Sequence, residues 1–187
     1  RPRRAAAALR RCNNITCAHH HISAYYAIAH NDRVGGFVFS DRQHAESRPR
    51  RSQRAVLHFL QQLTDFNQQA LAPAGDEPPQ ALSAVFEELR RITRPGSAVF
   101  ILSDFHDMDE AAERQLALLA RHNDVLAVEI SDPMEAKLPL RGHLALSDGR
   151  QRLAVDIDGK LQQRYQQGYQ RRQEALHSTL RKLGIVR

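Results

Sequence analysis

The chain has 187 residues, 42% of them hydrophobic, two cysteines and a formal net charge of +6. That length suits one domain with a sizeable core, no apolar run nears the roughly 18 residues of a membrane helix, and two cysteines make no disulfide framework. No secretory pattern is visible, so the expectation is a cytoplasmic protein without a membrane segment; because the chain opens on Arg1 rather than Met, the start of the gene product is expected to be missing. The basic residues are almost all Arg and alternate with Glu, Asp and Gln, the pattern of solvated helix faces rather than of a nucleic-acid footprint.

Residues 1–21 give no clear period and are expected to be an irregular or disordered end, although RPRRAAAALRR has the composition of a helix start. ISAYYAIAH (22–30) reads as the last turns of a packed helix. RVGGFVF (33–39) is short, apolar and bounded by turn residues, hence a buried strand whose two glycines admit a close neighbour. A polar edge strand is expected around residues 43–48. Val56, Leu57, Leu60, Leu63 and Phe66 recur at helical spacing over residues 52–66, and Leu82, Val85, Phe86, Leu89 and Ile92 over residues 80–92. The Pro-rich stretch 70–79 between them is a loop.

AVFIL (98–102) is the clearest strand. Asp109 is a plausible N-cap for a helix to Arg121 with Leu116, Leu119 and Ala120 inward, and a third core strand spans residues 125–130. Ser147-Asp148-Gly149 marks a hairpin between residues 142–146 and 153–157. A last helix, 159–183, packs through Leu161, Tyr165, Tyr169, Leu176, Leu180 and Leu183 and stops at Gly184.

This alternation predicts an α/β fold with a mainly parallel sheet covered by helices on both faces, Val34, Val99 and Val128 all pointing inward. In such sheets the functional crevice lies at the C-terminal strand ends. Three strands end in Ser-Asp: Ser40-Asp41, Ser103-Asp104 and Ser131-Asp132. Asp41, Asp104 and Asp132 are therefore the candidate partner-binding rim, and turn formation is the plainer role for each.

Other constellations are weaker. Cys12 and Cys17 with His19, His20 and His21 are zinc-type ligands at a spacing that matches no common site. Asn14-Ile15-Thr16 is a glycosylation acceptor that matters only in a secreted protein. Ser103, His106 and Asp107 could be imagined as a triad, but there is no nucleophile elbow and no phosphate-binding Gly-rich loop. His44, His58, His106, His122 and His143 do not cluster along the sequence. Arg48-Pro49-Arg50-Arg51 with Arg54 is basic but lacks interleaved aromatic residues for stacking on bases.

NDRVGGFVFSD (31–41), VFILSDFHD (99–107) and RHNDVLAVEISDPMEAKLP (121–139) resemble, in order, three signature strands of the bacterial family called domain of unknown function 58, DUF58; the late helix with Arg164-Tyr165, Arg171 and Leu176 fits as well. The resemblance spans residues 22–187, the expected domain. It implies a von Willebrand factor A-like (Rossmann-like) fold and a non-catalytic protein-interaction role beside a MoxR-type AAA+ ATPase, acting on an unknown client protein in maturation or remodelling. The alternative is an α/β hydrolase or nucleotide-binding enzyme using the strand-end Ser-Asp residues.

Von Willebrand A domains often hold Mg²⁺ through Asp-x-Ser-x-Ser after the first strand, a loop Thr and an Asp after the fourth strand. By that resemblance Asp104, with Ser103 beside it, matches the fourth-strand position. The Asp-x-Ser-x-Ser run is absent, so no cofactor is expected unless such a motif lies upstream. The first central strand itself is expected to be missing, leaving residues 33–39 and 98–102 unpaired on either side of a gap and the chain poorly stable.

Overall fold

A computed structural model describes residues 4–10, 30, 32–40, 44–70, 80–132, 136, 142–147 and 152–187. In chain order the elements are β1 (Arg4–Arg10), β2 (Arg33–Phe39), β3 (His44–Arg50), α1 (Gln53–Ala70), α2 (Leu82–Ile92), β4 (Ser97–Ser103), α3 (Glu110–Ala120), β5 (Asp124–Glu129), β6 (Gly142–Ser147), β7 (Arg152–Ile157) and α4 (Gly159–Lys182). Five strands form one sheet in the order β3-β2-β1-β4-β5. β1 runs parallel to β2 and β4, and β4 parallel to β5. β3 is antiparallel to β2 at one edge. β6 and β7 make a separate antiparallel hairpin.

Side chains alternate across a strand, so a strand buried on both faces is apolar throughout. Phe37, Phe39, Val99, Ile101, Val125 and Ala127 point to one face, where Phe86 and Leu89 of α2, Leu116 and Leu119 of α3 and Leu176 and Leu180 of α4 cover them. Val34, Val38 and Leu102 point to the other, where Val56, Phe59, Leu60 and Leu63 of α1 pack. Gly36 lies under α1: a Cβ there would stand 1.9 Å from the Phe59 ring. The glycine therefore lets the helix sit down on the strand.

Helix ends follow their local chemistry. Asp109 accepts a hydrogen bond from the Ala112 N–H at 2.7 Å, and Asp158 one from Leu161 N–H at 2.7 Å, capping α3 and α4. At the far end of α4, Gly184 takes φ +68°. The Ile185 N–H then donates to the Leu180 carbonyl and the Gly184 N–H to the Arg181 carbonyl, the paired bonds of a Schellman stop. The turn sends the C-terminus beside β5, where Ala127 N–H donates to the Val186 carbonyl at 2.8 Å.

Two expectations are corrected. The central strand is present: Arg4–Arg10 fills the slot between β2 and β4 and pairs along its length with both. Residues 1–21 are thus not irregular throughout; two flanking strands with open ladder groups override the helix preference of an Ala-rich run. Val128 is 37% exposed rather than inward, because α1 covers β2 and leaves the β5 end of that face open, whereas Val34 and Val99 are buried. Observed boundaries otherwise differ by a few residues, the largest change being α1, which continues to Ala70. The expected helix end at 22–29, the loop at 71–79 and the hairpin turn at 148–149 lie outside the described residues.

Candidate functional site: the rim at the strand exits

Because β1, β2, β4 and β5 are parallel, they leave the sheet at one edge. The register aligns Arg10 with Phe39, Leu9 with Leu102 and Ser103 with Glu129. Successive connections from β1 go first to β2 on one side and later to β4 on the other, which makes the exit of β1 the switch point where such sheets place their crevice. Ser40 stands half-buried on one side of that point and Ser103-Asp104 on the other, with Asp132 beyond β5. Asp104 and Asp132 are exposed; Asp41 lies outside the described residues.

The Ser103-Asp104 pair builds a turn. Ser103 is fully buried. Its hydroxyl accepts the Phe105 N–H at 3.0 Å and lies 3.4 Å from the Asp104 Oδ1, to which it donates. The same Oδ1 accepts the His106 N–H at 3.2 Å. These side-chain turns hold Phe105 at φ +49° and drop its ring into the core beneath α2, α3 and α4. The Ser103 carbonyl accepts the Ile130 N–H at 3.0 Å and ties the exits of β4 and β5 together.

This donor set does not fit a divalent cation. A hard cation asks for about six oxygens, several of them carboxylate. After Leu9, the sequence at the β1 exit reads Arg10, Arg11, Cys12, Asn13, Asn14, with two guanidiniums where the adhesion-site motif has its Asp. Ser103 Oγ is enclosed and already bonded. Among the described residues no three His, Cys, Asp or Glu side chains gather closely enough to hold a metal. Cys12, Cys17 and His19 to His21 lie outside the described residues.

Nor do Ser103, His106 and Asp107 make a nucleophile with its base. Ser103 is bonded to Phe105 and Asp104, and the His106 Nε2 meets Arg172 Nη1 at 3.0 Å. An arginine can only donate, so that ring nitrogen is the acceptor. The basic run at Arg48, Arg50, Arg51 and Arg54 is exposed, and Tyr165 and Tyr169 are half-buried on α4.

One cluster near the rim escaped the sequence reading. Glu129, at the end of β5, has a side chain only 5% exposed. Its carboxylate accepts from Gln173 Nε2, meets His177 Nε2 at 3.3 Å and pairs with Arg187 at 3.1 Å. Gln173 and His177 are four apart, on the face of α4 that also carries Leu176 and Leu180. The signal was a polar i, i+4 pair inside an apolar stripe; its partner on β5 could not be read from spacing.

A family model described as "Protein of unknown function DUF58" matches residues 10–176. Among solved structures, the conserved hypothetical protein BatB from Bacteroides thetaiotaomicron is similar at 14% identity and a TM-score of 0.55, over 97% of this chain and 98% of that one. An aerotolerance-related membrane protein from Bacteroides fragilis NCTC 9343, with multiple mutations to serines, is similar at 16% identity and a TM-score of 0.51, over 88% and 87%. At these identities the likeness speaks for the fold. No curated protein matches the chain, and no helix among the described residues is long and apolar enough to cross a membrane.

Proposed function

Because the chain belongs to the DUF58 family, we propose that it is a non-catalytic protein-interaction module of the von Willebrand A type, working in the cytoplasm beside a MoxR-type AAA+ ATPase to present a client protein. The observation that carries this reading is the rim: four parallel strands deliver their exits to one edge, with Asp104 and Asp132 exposed there. The central parallel strands with an antiparallel edge strand, and helices on both faces, suit a von Willebrand A-type domain. Partner docking needs shape and exposed polar groups, and this edge offers both without a catalytic constellation. The enzyme reading lacks comparable support, since Ser103 is buried and spent on its own turn. With the metal donors absent from the sequence after β1, docking proceeds through the protein's own polar groups.

Capture of a MoxR-type AAA+ ATPase, using the full chain as bait, tests the reading. The Asp104→Arg, Asp132→Arg double variant should lose about tenfold in capture, as like charge and lost complementarity at a docking surface require. Arg121→Glu, at the opposite end of α3, should retain it. Equal capture by wild type and the double variant would defeat the rim reading, as would an enzymatic activity that disappears in Asp104→Ala.

A further inference from the structure

At the edge of the sheet opposite the rim, where β2 and β4 begin, lies a cleft of 320 Å³. Its floor is the start of β2, one wall is β3, and the other is the C-terminal end of α2 with the turn into β4. The shape comes from local chemistry. β2 and β3 slip in register between Val34 and Gly36. Pro49, which has no N–H to lose, occupies this irregularity on an edge strand. Gly35 lets the strands close there, because a Cβ would stand 2.9 Å from the Ser47 carbonyl oxygen and 2.8 Å from Pro49 Cγ.

Three arginines line the cleft: Arg33 from β2, Arg48 from β3 and Arg94 from the turn after α2. The arginine ion pairs of the described residues lie elsewhere, at Arg91, Arg114 and Arg187. One carboxylate, Glu46, shares the lining.

We propose that this cleft is a phosphate-binding site for a small phosphomonoester, held by Arg33, Arg48 and Arg94. The guanidinium's planar fork matches phosphate oxygens two at a time. The volume sits at the low end of small-molecule sites, large enough for a phosphorylated metabolite or one phosphorylated side chain and too small for a folded partner. Glu46 repels a bare polyanion and accepts from a hydroxyl or amine, so the ligand carries a hydrogen-bond donor beside its phosphate. Sitting at the far edge of the sheet, the site stands or falls independently of partner docking at the rim.

The test is calorimetric titration of the full chain with inorganic phosphate, glycerol 3-phosphate and O-phosphoserine, against sodium chloride at matched ionic strength. Saturable binding is expected, with one or both organic esters tighter than inorganic phosphate; the tighter ester tells a metabolite source from a phosphorylated side chain. Arg48→Met and Arg94→Met should each weaken binding about tenfold, the scale of one charge-assisted hydrogen bond. Binding no greater than in the chloride control, or unchanged affinity in both folded variants, overturns the proposal.

Discussion

Gly36 shows how a single missing atom positions a layer. Its absent Cβ leaves the space that the Phe59 ring occupies, with ring atoms from 1.9 Å of where that carbon would be. Gly36→Ala should therefore destabilise the protein by about 1–3 kcal/mol, as overpacking of a tight core does. Urea denaturation followed by circular dichroism measures it. Adding Phe59→Leu should return part of the loss if the clash is the cause, and an unchanged midpoint in Gly36→Ala would refute it. The close approach was legible from two adjacent glycines in a buried strand. The Ser-Asp strand ends were legible as chemistry but not as bonding. Only coordinates show that Ser103 turns inward to hold Phe105 while Asp104 stays at the surface.

At the scale of elements, β1 is the piece on which the sheet depends. It supplies the ladder partner of β2 on one side and of β4 on the other. Deleting residues 1–10 would unpair both at the sheet's centre, and the expected result is loss of the cooperative thermal transition. A melt as sharp as that of the full chain would show β1 to be dispensable. β2, β4 and β5 were visible in sequence because apolar runs between turn residues have few other uses. β1 was not, because alanine and arginine favour helices and strand propensity is weak for both. Its slot was nevertheless placed correctly, between residues 33–39 and 98–102, because the von Willebrand A-like fold implied by the family resemblance has its first strand there. The hydrogen-bonded set around Glu129 stayed hidden for a similar reason. Gln173 and His177 look like solvated helix residues until β5 brings a carboxylate to them.

For the molecule as a whole, the two faces of the sheet are unequally covered. Among the described residues, α2, α3 and α4 share one face and α1 holds the other near β2. The C-terminal residues close the β5 edge. Ile185 enters the larger core, Val186 bonds to β5, and Arg187 neutralises the enclosed Glu129. Removing residues 185–187 takes away all three and leaves a charge with fewer partners. The expected cost is about 3–5 kcal/mol, the scale of breaking an enclosed ion pair. A thermal melt should fall by about 10 °C or more for a chain of this size, whereas Arg187→Lys should retain most of it. A truncated chain that melts with wild type would show the edge closure to be ornamental.

The order in which the sheet is threaded has a consequence during synthesis. Arg4 pairs with Arg33 on one side but with Ser97 on the other. A ribosome adding about 5–20 residues per second leaves the second side of β1 without its mate for roughly five to twenty seconds. Throughout that interval the nascent polypeptide offers a bare strand to neighbouring chains. The pace of translation across α1 and α2 therefore governs how much of the newborn protein reaches its own β4 before it meets another molecule.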